Sequence, residues 1–440
     1  MWFQVTFVLA AASCAASAER KTPVCLNADK GSRICSSEDI ANGATISELL
    51  QSIMSINVDR EGLRQVTSKR FVELGPAAEG PFSPNEKITE NAELVFDFLS
   101  GPESISKVGN SFFGSAVDAV YKIDLENQNH SKIYNANANC PSDEPCSRPL
   151  GMRIKENRLL LADAKRGLVE IDLSSGGSRV LLAIGTQING TALTFPNDLD
   201  VDWDKEIVYM SDGSTKWSTD YSTLDILEAD PNSRVIRFDI KSATAQVFAH
   251  NLRFANGIQI SLDKKFLLVS EFSARQILKY PLDGPLPATA EPFTGLLPGN
   301  PDNIRPSLNG GYWVALGFGR PNGSRNLMDE LQARPDLTDK LGNAVLTVGG
   351  LVRSMGTLLK NSQIRDLGSK VQTGHIILEG IPDYAFVVEF DVNGNILQTL
   401  QSTKYQYASE VLEHEDGLYI SSPRNKYVLK VPRSAFRHAS

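Results

Sequence analysis

Four side chains able to offer oxygen to a hard cation, Glu103, Asn197, Asn256 and Asp302, each take the second place of a quartet that recurs along this chain. The quartets read PESI (102–105), PLGM (149–152), PNDL (196–199), ANGI (255–258), PDNI (301–304) and ASEV (408–411), each ahead of an alternating, strand-like run. Asn or Asp at a single turn is ordinary, because its side chain bonds nearby backbone groups. Copies related by rotation about one axis would instead bring the four together, near the axis, as two carboxylates and two amide oxygens. That set suits Ca2+, which accepts about six to eight oxygen ligands in flexible geometry.

The elements that must position this ring follow from the same repeat. The quartets start 47, 47, 59, 46 and 107 residues apart. Between them lie short runs of half-buried, period-two character, such as RLLLAD, GLVEIDL, IVYMSD, RVIRFDI, FLLVSE and YWVAL, separated by Gly, Asn, Asp and Ser turns. Periods in the forties with about four strands per unit are the signature of a β-propeller. The expected fold is therefore all-β, a six-bladed β-propeller over 92–440. A strand at 92–99 should complete the last blade beside 418–431, leaving no sheet edge open. The long last interval holds an insertion in the fifth blade, about 320–380, with Leu351, Met355, Leu358 and Leu359 at helical spacing. A lid, a patch that contacts a membrane or a protein partner, and a plain helical excursion are its three readings. Residues 19–91 read as an N-terminal extension, with one amphipathic helical stretch at 46–66 and a Pro/Gly-rich linker at 75–87.

The first 18 residues form an apolar run ending in Ala16-Ser17-Ala18, the small-residue pattern of signal-peptidase cleavage. Secretion, or the lumen of the secretory pathway, is the expectation; with no Lys or Arg ahead of the run, an uncleaved membrane anchor is the alternative. Four cysteines then remain. Of their three connectivities the short loops favour Cys25–Cys35 and Cys140–Cys146. Sequons at Asn129, Asn189 and Asn322 agree with a secreted route. A net charge of −8 without a Lys/Arg run argues against nucleic acid as a partner. The five histidines lack metalloprotease spacing, and neither a GxSxG elbow nor a Walker loop occurs. Ser211, Asp212, Glu271 and Phe318 end strands that should reach the face of the ring, which makes them candidate substrate-lining residues.

The stretches RPLG, FPNDLDV, YMSDGSTKW, LRFANGIQIS, FLLVSEFSARQILKY, PGNPDNIRPSLNGGYWVAL and EVLEHEDGLYISS resemble the strictosidine synthase-like propellers, and among them the animal adipocyte plasma membrane-associated protein branch. That resemblance covers about 92–432 and implies a six-bladed propeller. It implies amine–aldehyde condensation only where a Glu follows the FWV-type strand; here Phe318 and Gly319 stand there, so condensation is not expected. The Glu, Asn, Asn, Asp set is similar to that of the calcium-dependent paraoxonases and diisopropyl fluorophosphatase, and the animal branch is associated with arylesterase activity. The implied function is calcium-dependent hydrolysis of small-molecule esters or lactones, with attack by water or by Asp302. A binding or adhesive propeller with a structural ion is the reading from another class.

Overall fold

A computed structural model describes residues 26–27, 33–34, 66, 79–127, 129–136, 140, 146–320 and 325–437. The leader, Cys25, Cys35, the sequon at Asn322 and all of the 46–66 stretch except Val66 lie outside them. The chain divides into two units, 68–335 with 379–440, and 1–67 with 336–378.

The larger unit holds six four-stranded antiparallel sheets. Sheet 1 starts at Ile105–Val108, sheet 2 at Pro149–Lys155, sheet 3 at Pro196–Asp202, sheet 4 at Ala255–Ile260, sheet 5 at Asn300–Pro306 and sheet 6 at Glu410–His414. Each of these first strands neighbours the first strand of the next sheet, and that of sheet 6 neighbours that of sheet 1. The apolar clusters follow the same cycle. Leu159 and Leu161 pack with Phe113 and Val120 of sheet 1, while Leu160 and Ala162 of the same strand pack with Leu199 and Val208 of sheet 3. Successive side chains of a strand point to opposite faces, so a strand buried on both faces reads as a continuous apolar run, as RLLLAD does. Further clusters join sheets 3 and 4, 4 and 5, 5 and 6, and 6 and 1. This is the architecture of a β-propeller.

Closure is made by chain ends. Glu93–Val95 is the fourth strand of sheet 6, pairing Val95 with Val428 and Leu94 with Leu429. The segment just before it lies along the outer strand of sheet 5: the Asn85 side chain bonds Thr399, its Oδ1 accepts from the Gln401 amide, and Ile88 is fully buried among Trp313, Leu400, Val411 and Leu429. Residues at the end of the expected linker are thus packed against the propeller.

The helices of the insertion, Leu327–Gln332, Pro335–Leu358, Ser362–Gln372 and His375–Leu378, fall between the second and third strands of sheet 5. In the smaller unit, Pro335–Leu358 and Ser362–Gln372 approach through glycine: a Cβ at Gly349 would meet the Gln372 backbone N at 2.1 Å, and one at Gly368 would meet that of Arg353 at 2.1 Å. Val66 exchanges hydrogen bonds with the Asn343 side chain in the same unit. No described helix is long and apolar enough to cross a membrane.

Candidate metal centre

The inner strands of sheets 2, 3, 4 and 5 are bulged at the quartet. Pairing with the second strand is interrupted between Pro149 and Met152, Pro196 and Leu199, Ala255 and Ile258, and Pro301 and Ile304. A bulge sets two residues opposite one and re-aims their side chains. In each of these four quartets the two residues freed in this way are the second and third, whereas the first strands of sheets 1 and 6 pair without a bulge. Glycine fills the third place where the neighbouring sheet comes too close for a side chain. A Cβ at Gly151 would lie 2.6 Å from Asp198 Cα, and one at Gly257 2.4 Å from the Asp302 carbonyl oxygen.

Glu103, Asn197, Asn256 and Asp302 are all buried, and the other two second places are Leu150 and Ser409. Among the described residues, Asp302 Oδ1 and Asn256 Oδ1 have no hydrogen-bond partner. Asp302 Oδ2 accepts from the Tyr407 hydroxyl. Burial raises the Asp302 carboxyl well above the ordinary carboxylate range, and the Glu103 charge adds to the effect; Tyr407 and Asn256 oppose it. Glu103 is pushed up to about 7, first by burial; Glu410 and Asp198 add to the rise and Arg148 works against it. Two like charges held together out of water therefore resist ionisation, and two oxygens beside them are left unbonded, an arrangement a cation relieves. Among the described residues no three His, Cys, Asp or Glu side chains cluster at metal-ligand spacing. Two carboxylates with two amides form an all-oxygen donor set that fits Ca2+ and not zinc.

Beneath the ring lie two more charged layers. The third places are Ser104, Gly151, Asp198, Gly257, Asn303 and Glu410, and the fifth positions counted from each quartet's start are Ser106, Arg153, Asp200, Gln259, Arg305 and Leu412. Arg305 clasps Asp198 with both Nη atoms, at 2.9 and 3.0 Å, and also pairs with Glu410. Arg153 pairs with Asp200 at 3.1 Å. Asp198 and Glu410 also accept the backbone N–H of Ile258 and Ile105 in the next sheet, at 2.9 and 2.7 Å. Asp198 stays below its ordinary value against burial because Arg305 and Arg153 hold it charged. These carboxylates are satisfied by protein; Asp302 Oδ1 has no partner among the described residues.

The four expected lining residues take different places. Ser211 Oγ bonds both the N–H and the carbonyl of Asp198, at 2.9 and 3.2 Å, bracing the bulge. Asp212 accepts the N–H groups of Thr194 and Phe195 and pairs with Arg234 at 2.9 Å. Glu271 accepts the Arg253 N–H at 2.9 Å and the Gln276 amide at 2.6 Å. Asp163 does the same in sheet 2, accepting the Arg148 N–H at 2.9 Å. These carboxylates staple the approach to each inner strand. Phe318, at φ +47°, lies closest in sequence of contacts to the ring: its side chain packs on Tyr407, centroids 5.5 Å apart, and on Phe272 at 5.6 Å. Phe254 and Phe195 continue the arc.

Tyr407 and Arg148 were not among the sequence candidates. Both stand immediately before a quartet, and the six residues there are Gly101, Arg148, Phe195, Phe254, Asn300 and Tyr407. Extending the repeat alignment by one column to the left, and by one and three to the right, finds them and the charged layers beneath. Two surface pockets lie elsewhere on the propeller, one of about 620 Å³ lined by Asn189, Arg234 and His250, the other of about 550 Å³ lined by Arg253, Glu271 and Gln276. Cys140 and Cys146 are disulfide-bonded, and the sequon residues Asn129 and Asn189 are exposed.

A profile of the strictosidine synthase family matches residues 197–285, the stretch from the third quartet through the third strand of sheet 4. Adipocyte plasma membrane-associated protein of Danio rerio is 33% identical over 82% of each chain, and that of Homo sapiens 30% identical over 82% of each. Among solved structures, a gluconolactonase from Xanthomonas campestris overlaps 83% of this chain and 99% of its own, at a TM-score of 0.49 and 15% identity. By the extent and identity of those relatives, the chain belongs to the strictosidine synthase-like family, with the adipocyte plasma membrane-associated proteins.

Proposed function

We propose that this protein is a secreted or lumenal six-bladed propeller hydrolase that binds Ca2+ at its axial ring and cleaves small-molecule esters or lactones. The observation that carries the reading is the pair of buried, mutually repelling carboxylates, Glu103 and Asp302, beside the unbonded Oδ1 atoms of Asp302 and Asn256. Glu103, Asn197, Asn256 and Asp302 would hold the ion. Bound there, Ca2+ would supply polarisation of an ester or lactone carbonyl. Tyr407 fixes the Asp302 carboxylate through Oδ2 and leaves Oδ1 as the atom to take a proton from an attacking water, or to attack. Phe318 and Tyr407 offer aromatic surface to an aryl or acyl group. Glu103 and Asp302 must both be ionised to hold the ion, so binding releases protons.

The test is phenyl acetate hydrolysis with Ca2+ and with chelator, alongside Asn256→Ala and Asp302→Ala. Loss of about a hundredfold or more, the several kcal/mol a Lewis acid contributes, is expected in the chelated and substituted samples. A second reading, a binding propeller with a structural ion, is favoured by the deep burial of the ring and by Tyr407 capping Asp302. It wins if no sample hydrolyses ester while Ca2+ still raises the melting temperature.

A further inference from the structure

Of the six residues that stand immediately before the quartets, four are buried: Gly101, Phe195, Phe254 and Asn300. The two half-exposed ones, Arg148 and Tyr407, belong to sheets 2 and 6, which flank sheet 1 and so lie on either side of Glu103. Arg148 is held firmly at its backbone. Its N–H donates to Asp163 Oδ1 at 2.9 Å, its carbonyl accepts from Ala164 at 3.0 Å, and the Cys140–Cys146 disulfide closes the loop two residues earlier. Ser147 Oγ bonds the other oxygen of Asp163.

The side chain, by contrast, is little used. Nη1 donates to the Pro149 carbonyl at 3.0 Å, which lays the guanidinium against the strand that carries Leu150, the ring position without an oxygen. Among the described residues the guanidinium makes no ion pair, unlike Arg153 and Arg305, whose carboxylate partners are in place below. Glu103 and Asp163 are the carboxylates that act on Arg148. A divalent cation would balance Glu103 with Asp302, and Asp163 Oδ1 is occupied by the N–H groups of Arg148, Lys165 and Arg166, so the guanidinium keeps donors that no described carboxylate takes. Glu103 acts on Tyr407 as well as on Arg148, and Tyr407 packs on the ring of Phe318 with centroids 5.5 Å apart. A guanidinium with donors to spare is a recogniser of planar anions.

We propose that Arg148 is the specificity-determining residue of this site, anchoring the carboxylate of an anionic aryl ester or lactone, or of its hydrolysis product, while Tyr407 and Phe318 take the aromatic part. The assignment rests on the hydrolase reading for its reaction but not for its binding. The probes are 4-acetoxybenzoate against phenyl acetate for turnover, and 4-hydroxybenzoate against phenol for calorimetric binding to the calcium-loaded full chain.

In Arg148→Gln the ratio of kcat/KM for the anionic over the neutral ester should fall about tenfold or more, and 4-hydroxybenzoate affinity should fall by a similar factor, as expected for loss of a charge-assisted hydrogen bond. Arg148→Lys, which keeps the charge, should recover part of both, a pattern that general damage to the fold would not produce. If the wild-type chain binds 4-hydroxybenzoate no more tightly than phenol, or if Arg148→Gln leaves both ratios where they were, the assignment is wrong. Binding through Arg148 with neither ester hydrolysed would retain the anion site and remove the hydrolase.

Discussion

At the scale of single residues, the ring differs from the layers beneath it in what happens to charge. Asp198 and Glu410 are as deeply buried as Asp302, yet each meets a guanidinium and a backbone N–H, whereas Asp302 meets a phenol and another acid. This predicts a pH signature in the calcium-free protein. Glu103 titrates at about 7 in the fold, against 4.5 ordinarily. Between those values the native state holds a proton that the unfolded chain has lost, so stability falls as pH rises through the window, and Asp302 pushes the same way. In chelator, the melting temperature should be higher at about pH 5 than at about pH 7.5 by this contribution. The drop should shrink in Glu103→Gln, which keeps shape without charge, and with saturating Ca2+. A profile unchanged by the substitution would mean that Glu103 is not the titrating group.

At the scale of elements, bulged inner strands carry three of the four candidate donors, Asn197, Asn256 and Asp302. They were visible in the chain as a recurring turn, but their geometric meaning was not, since a bulge is a relation between two strands. The third-place glycines are the most exacting part. Adding a Cβ at Gly257 would drive it to 2.8 Å from Asn303 Cα as well as into the Asp302 carbonyl, and neither backbone atom can move alone. Gly257→Ala should cost about 1–3 kcal/mol in urea unfolding, as overpacked positions do, and should weaken Ca2+ binding by displacing Asp302. Gly295, where a Cβ would meet nothing within 4 Å, is the matched control and should tolerate alanine. Equal effects at the two sites would show that sheet-to-sheet contact at the quartet is not what glycine protects. The same stacked turns explain why Asp212 and Glu271 looked like pocket residues: the second strand ends on a carboxylate in sheets 2, 3 and 4, and only the partners reveal that these are bonded to backbone.

At the scale of the whole molecule, a ring of sheets is as stable as its closure, and closure here depends on the chain before the first quartet. Glu93–Val95 supplies the last strand of sheet 6, and Ile88 just ahead of it fills the core between sheets 5 and 6. Ile88→Ala should destabilise the propeller by about 2–5 kcal/mol, the cost of truncating a fully buried aliphatic side chain. A loss in urea unfolding near that of a surface substitution would mean that the segment is dispensable.

The sequence by itself determined the fold class, the number of repeats and the closing strand, and it put forward four oxygen donors as candidates. Each depends on a pattern periodic along one chain: alternation within strands, a turn at every inner strand, and an interval set by strand count. Tertiary structure decided which acids are spent and which are not. Asp198 and Asp302 look alike in sequence, adjacent columns of the same motif, and differ because Arg305 and the Ile258 N–H meet the first while an oxygen of the second has no partner among the described residues. Charge compensation between residues more than a hundred positions apart follows from ring closure and bulge direction. A linear reading of residue types does not encode either: the repeat alignment puts Arg148 and Tyr407 in one column, and only the closed ring shows what each of them bonds.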